Sequence, residues 1–295
     1  MGALSDLSND LAVAVAKAAP STVLVDSRRR YPASGIALAV DLVLTADHVI
    51  TRDSNLTVQT AEGSKFAASI AGRDPGSDLA VLRLSEKSLV PAARAVSRAQ
   101  VGQLVLALGR PDEAGVRASW GIVTSIGGPA RTGRGGLLEA YLQTETTPYP
   151  GFSGGPLVNA EGQVMGLNTS GLTPGSSLTI PVHVAWPIGE ALAKDGSVKR
   201  GYLGVRTQTV DVPEASEAQQ GGRGVLVVWL ENGGPAATGG VNVGDIIVGL
   251  GGRSIGEPDD IFAALGSETV GKPIEARILR GGKAQSVRIV VGERK

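Results

Sequence analysis

The chain has no cysteine, which removes disulfides, thiolate metal ligands and cysteine nucleophiles in one step. Histidine is nearly as scarce. With two in 295 residues, His48 and His183, a zinc site is not expected, and neither a metal nor a cofactor is implied. Long hydrophobic runs are missing too, since no stretch approaches the roughly 20 apolar residues that a membrane-spanning helix needs. Neither sign of charge is in excess: 28 basic and 28 acidic residues give a net charge of +0, so nothing attracts nucleic acid or another polyanion. The start offers no basic region ahead of an apolar one. Met1 to Asp10 carries acids, and Lys17 interrupts Leu11 to Ala19, so the chain as written reads as cytoplasmic, or as extracytoplasmic if an export signal has been removed. Aromatic residues make up only 3%.

Glycine is plentiful instead, at 42 residues, and suits many tight turns between short strands in a mostly β protein. The length accommodates two domains, each with its own core. Leu4, Leu7, Leu11, Val15 and Ala18 recur at helical spacing, Ser5 is a candidate cap and Pro20 a stop, which predicts a helix over 4–19 and then a strand from Thr22 to Asp26. Arg28, Arg29 and Arg30 read as a solvated loop. From Ser34 to Leu84 short apolar stretches alternate with Gly, Asp and Asn breaks. A second set of strands is expected at Val101 to Gly109, Ser119 to Ile126, Ala140 to Thr144, Pro156 to Leu167 and Leu178 to Val182. Between them Gly127 to Gly136, with five glycines plus Arg131 and Arg134, reads as a mobile surface loop. Pro187 to Lys194 reads as a short helix opened by its proline and closed at Gly196. The polar stretch Asp195 to Arg200 divides the chain into domains at 1–199 and 200–295. Gly266 to Lys272 nearly spells a phosphate-binding loop, but Pro273 stands where a Ser or Thr would hold Mg²⁺.

Chemistry concentrates in Tyr149 to Asn159. Ser153 lies there on a tight bend among Gly151, Gly154 and Gly155, with the amides of Gly151 and Ser153 as natural donors to an oxyanion. Such a stretch is by itself as readily an ordinary hairpin. A serine nucleophile needs a base, and the base needs an acid to fix its tautomer. Downstream of Ser153 lie only His183 and, between them, Glu161, a poor match to the Ser-acid-His order of α/β-hydrolases. Upstream, His48 ends an apolar run and Asp78 opens another, in the order His, Asp, Ser found on chymotrypsin-like barrels. Asp47 and Asp74 are rivals to Asp78. On an extended strand Asp47 would face away from its neighbour His48.

Three segments now carry a resemblance. Leu44-Thr45-Ala46-Asp47-His48-Val49-Ile50, Asp74-Pro75-Gly76-Ser77-Asp78-Leu79-Ala80-Val81-Leu82 and Gly151-Phe152-Ser153-Gly154-Gly155-Pro156-Leu157-Val158-Asn159 resemble the catalytic segments of HtrA/Deg serine proteases, in the same order. The resemblance implies a chymotrypsin-like double six-stranded β-barrel followed by one PDZ domain, and a serine endopeptidase that cleaves unfolded or damaged proteins. It implies His48, Asp78 and Ser153 as the triad, with Gly151, Phe152 and Ser153 forming the oxyanion hole. A substrate would run along the strand Ser177 to Ile180, meeting Leu178, Thr179 and Ile180, which offer no acid to a Lys or Arg side chain. The family usually has Asn at the place of Phe152 and Asp at that of Glu145, and Thr147, Pro148 and Tyr149 also depart from its pattern. Phe152 is therefore expected to narrow or re-aim the pocket.

Beyond the boundary, Arg200-Gly201-Tyr202-Leu203-Gly204-Val205 is similar to the carboxylate-binding loop of PDZ domains. Tyr202, Leu203, Gly204 and Val205 would hold a C-terminal peptide, with Ile261, Phe262 and Leu265 on the opposite wall. Relatives of this family trimerise partly through N-terminal aromatics. Met1 to Arg30 has none, so a homotrimer is the weaker implication. Two alternatives stay open, a catalytically silent PDZ scaffold and an esterase on the same triad.

Overall fold

In the computed structural model the described residues are 2–27, 32–132, 136–173, 176–212 and 222–293; Arg28 to Arg30 and residues 133–135 lie outside them. The chain divides into two compact units, residues 1–198 and 199–295.

The first unit opens with helix α1 (Ala3–Ala18), which buries Ala14 and Ala18 and exposes Leu4 and Leu7. Strands β1 (Thr22–Asp26), β2 (Ala33–Ala39), β3 (Leu42–Ala46), β4 (Leu56–Gln59), β5 (Lys65–Asp74) and β6 (Leu79–Leu84) close an antiparallel barrel in the order β1-β2-β3-β6-β5-β4. Strands rich in Val, Leu and Ile fill it. Ile36, Leu44, Leu56, Leu79 and Leu82 are fully buried, each contributing about 1.5–3 kcal/mol relative to exposure.

A second barrel follows from β7 (Leu104–Gly109) and β8 (Arg117–Gly127). A small hairpin, β9 (Ala130–Arg131) with β10 (Leu137–Leu138), leads to β11 (Tyr141–Thr144), β12 (Pro156–Val158), β13 (Val164–Thr173) and β14 (Ser176–Pro181). This barrel closes as β11-β14-β13-β12-β7-β8. The stretch Pro156 to Leu167, expected as one strand, is a hairpin. Asn159 Oδ1 accepts from the N–H groups of Glu161 at 3.1 Å and Gln163 at 2.8 Å, an Asx turn that reverses the chain. The described part of the glycine-rich stretch is not a free loop: Ala130 and Arg131 pair with Leu138 and Leu137, and Thr132 Oγ1 donates to the Gly76 carbonyl at 2.7 Å. Helix α2 (Val182–Asp195) begins five residues before Pro187, so this proline lies inside the helix rather than at its start.

The second unit is a sheet with a small helical wall. Strand β15 (Gly201–Tyr202) precedes β16 (Val205–Val212), β17 (Gly222–Leu230), the short helix α3 (Pro235–Thr238), β18 (Ile246–Leu250) and β19 (Arg253–Ser254). Helix α4 (Pro258–Ala264), β20 (Pro273–Arg280), β21 (Lys283–Val290) and β22 (Gly292–Glu293) complete it. The main sheet runs β16-β17-β18-β20-β21, leaving β16 at an edge with α4 against it. Its core is built from Val225, Val227, Ile247, Ile278 and Ile289. Asp245, buried at the entry to β18, receives Nε and Nη2 of Arg280 at 2.8 and 2.7 Å.

Candidate active site

His48 stands on a 3₁₀ turn, Asp47–Val49, that ends β3. Because Asp47 begins this turn it is not extended, and the expected opposite-face geometry does not apply. Arg73 decides its role instead, with Nε 2.6 Å from Asp47 Oδ1 and Nη2 on the carbonyls of Asp47 and Ile50. Asp74 accepts the Ser77 hydroxyl. Asp78, fully buried at the start of β6, meets the histidine twice: the His48 N–H donates to Oδ1 at 2.8 Å, and His48 Nδ1 lies 2.8 Å from Oδ2.

Thr169 of β13 also donates its hydroxyl to Asp78 Oδ2. Burial opposes ionisation of Asp78, but the hydrogen bonds and charge of His48 and the Thr169 hydroxyl outweigh it, so the carboxyl sits below its ordinary range. Ser170 is next, its Oγ 3.1 Å from Ser153 Oγ. Gly171 follows, pressed so closely on the His48 ring and the Asp78 carboxylate that a side chain there would collide with both. Three consecutive residues of β13 thus touch Asp78, Ser153 and His48 in turn. None stood out in the sequence: a Thr in a strand reads as a strand former, and its partner is 91 residues away.

The nucleophile bend is equally crowded. Gly154 has φ +88° and no room for a side chain against the Ser34 carbonyl and Thr45 hydroxyl, while its N–H donates to the Asn168 carbonyl at 2.8 Å. The Phe152 N–H is committed to the Tyr149 carbonyl at 3.0 Å, whereas the N–H groups of Gly151 and Ser153 donate to no acceptor among the described residues. Phe152 therefore serves the bend as a spacer. Its side chain, 2% exposed, packs on Gly109 and among Val105, Leu142 and Leu157 rather than narrowing a pocket.

The expected substrate strand is corrected as well. β14 is flanked by β13 and β11, which pairs Leu142 with Thr179, so it has no edge to offer there. Thr179 bonds to Asn168 Oδ1 at 2.8 Å, Ile180 is wholly in the core, and only Leu178 lines an open cavity. That cavity, about 200 Å³, is also lined by Arg131, Leu138, Tyr141 and Leu172 and has no acidic residue in its wall. The edge is on β13, where pairing with β14 breaks off between Thr169 and Thr173. His183 falls on the first turn of α2, its imidazole pKa lowered by partial desolvation and by the Arg98 cation, and it makes none of the contacts above.

In the second unit Leu203 is buried and Gly204 has φ +74°; their carbonyls accept from Ala236 and Glu231 at 2.8 Å each. Tyr202 lies on β15 and Val205 opens β16. Ile261 and Leu265 belong to the core, while Phe262 is more than a third exposed. A contact the sequence did not suggest sets Arg206 5.1 Å from the centre of the Trp229 ring.

Comparison with known proteins agrees with this architecture. Residues 33–167 match the trypsin-like peptidase domain family and residues 201–291 the PDZ domain family. A probable periplasmic serine endoprotease DegP-like of Pseudomonas putida is 35% identical over 268 residues, covering 88% of this chain and 55% of the relative. One of Rhizobium meliloti is 32% identical, covering 90% and 54%. The chain thus spans about half the length of the curated relatives it matches. Among solved structures, the HtrA-type protease AlgW with decapeptide superposes with a TM-score of 0.81 at 26% identity, covering 97% of this chain and 99% of that one. The serine endoprotease from Yersinia pestis gives 0.79 at 29%, covering 97% and 98%.

Proposed function

The chain belongs to the HtrA/Deg type, a trypsin-like peptidase domain joined to a PDZ domain, and from that premise we propose that it is a serine endopeptidase acting on unfolded polypeptides. The observation that supports this reading most is the trio Thr169, Ser170 and Gly171, consecutive in sequence and each against one member of the His48, Asp78, Ser153 set.

In this reading Ser153 Oγ attacks the scissile carbonyl while Nε2 of His48 takes its proton and then hands it to the leaving amine. Asp78 holds the Nδ1–H and stabilises the imidazolium. The amides of Gly151 and Ser153 receive the oxyanion. The substrate adds as a strand along residues 170–172 of β13. Leu178 and Thr179, expected beside the specificity pocket, offer no acid to a basic side chain, so cleavage after small or aliphatic residues is expected. A peptide library showing strict cleavage after Lys or Arg would contradict that.

The PDZ unit takes C-terminal peptide tails along the β16 edge, with Gly204 in the carboxylate loop and Phe262 facing the groove. Relatives are named periplasmic, and an extracytoplasmic site of action is proposed by likeness. Among the described residues no helix is long and apolar enough to cross a membrane. The test of the main proposal is casein digestion: wild type degrades it, and Ser153→Ala is slower by a factor on the order of 10⁶ where the triad acts as a unit. Digestion by the variant at the wild-type rate would remove Ser153 from the mechanism.

A further inference from the structure

We propose that Ser34, far from Ser153 in sequence, is the positioning residue that sets the aim of the Ser153 bend; this rests on the endopeptidase reading above.

Ser34 is the second residue of β2, in the first barrel, and is fully buried. All of its hydrogen-bonding atoms are in use. Its Oγ donates to the Gly151 carbonyl at 2.6 Å and accepts from the Arg110 N–H at 2.8 Å. Its N–H donates to the Ser153 carbonyl at 3.2 Å, and its own carbonyl accepts the Thr45 hydroxyl at 2.7 Å. One residue of the first barrel therefore holds two carbonyls of the bend that the second barrel presents.

Those two carbonyls belong to the peptide groups on either side of the one that matters. The Gly151–Phe152 peptide is fixed at both ends, its carbonyl by Ser34 and its N–H by the Tyr149 carbonyl. The Ser153–Gly154 peptide is fixed the same way, by the Ser34 N–H and the Asn168 carbonyl. Between them lies the Phe152–Ser153 peptide, whose N–H is an oxyanion donor in the proposed mechanism. The carbonyl of that central peptide accepts from the Gly155 N–H at 2.9 Å. Gly151 has φ +86°, a conformation that glycine leaves easily, and the Ser34 hydroxyl is the side-chain bond that holds its carbonyl. Arg110 steadies the hydroxyl from behind, because its guanidinium is anchored by Nε on the Thr22 carbonyl at 2.8 Å.

Removing the hydroxyl leaves the half-buried Gly151 carbonyl without its donor and the buried Arg110 N–H without its acceptor. The bend then samples other orientations, and misplacement on the scale of 1 Å costs roughly 10²-fold in rate. The experiment uses the full chain and a short chromogenic peptide, with wild type, Ser34→Ala and Ser34→Cys, each checked for thermal unfolding. Expected for Ser34→Ala is a fall in kcat of about 10- to 100-fold with KM within about twofold. Ser34→Cys, with a weaker donor in the same place, should fall between it and wild type. Should Ser34→Ala not fold, the cysteine variant decides, a several-fold lower kcat at unchanged KM being the expected result. Wild-type kcat in a folded Ser34→Ala, or a loss of rate that only tracks the unfolded fraction, overturns the inference. If wild type itself takes no fluorophosphonate at Ser153, the endopeptidase reading fails first and separately.

Discussion

Asp78 combines a buried carboxylate with a backbone φ of +57°, sparsely populated by non-glycine residues and held here by its bonds to the His48 backbone and ring. Its replacement by Asn should cut turnover by about 10⁴-fold while leaving the fold in place, read from kcat on a peptide substrate. Thr169 is the quieter partner. Because the Asp78 carboxyl is depressed in the folded state, its contribution to stability is fully present above the ordinary Asp range, about 3.9, and is lost as pH falls through the lower folded value. Thr169→Val removes one of the bonds responsible, so urea unfolding at pH 7 and pH 3 should show a smaller difference in the variant than in wild type. An equal difference would mean the hydroxyl does not matter to Asp78. His48 and Ser153 were legible from scarcity and from a glycine-flanked bend. Thr169 and Ser34 were not, because a buried hydroxyl in a strand looks the same in sequence whether or not it meets a partner 91 or 117 residues away.

At the scale of elements, apolar stretches and glycine breaks marked the short strands, the resemblance implied that they close into two barrels, and the misreadings have local causes. Asn159 to Gly162 held a turn signal inside an apolar run, and apolar content alone merged β12 with β13. Pro187 was read as a helix start, yet a proline early in a helix forgoes only one backbone bond when packing holds the rest, and α2 buries Val184, Ala185, Trp186 and Leu192. Which strand has a free edge is a property of closure, not of any one segment, so β14 was preferred to β13. Arg73 shows how β5 supports the site from outside: it holds the His48 turn through Asp47, which is 1% exposed. Arg73→Met should remove that ion pair and cost about 1.5–3 kcal/mol, measured by chemical denaturation at neutral pH. A change under about 0.5 kcal/mol would show that the pair adds little to the turn.

For the whole molecule, each unit has its own core, and the proposed chemistry lies in one while the proposed tail groove lies in the other. Phe262→Glu should therefore weaken binding of a hydrophobic C-terminal peptide by about tenfold or more while a short chromogenic peptide is cleaved as before. Fluorescence polarisation with a labelled tail peptide measures the first, and initial rates the second. Loss of both together would mean that an occupied groove is required for turnover.

The claim beneath all of this is that His48 and Asp78 activate one particular hydroxyl, and reaction with a fluorophosphonate followed by mass mapping of the adduct tests it most directly. The account predicts a single adduct on Ser153 in wild type, formed far more slowly in His48→Ala. No adduct, an adduct on Ser170 or elsewhere, or the same rate without the imidazole would contradict it.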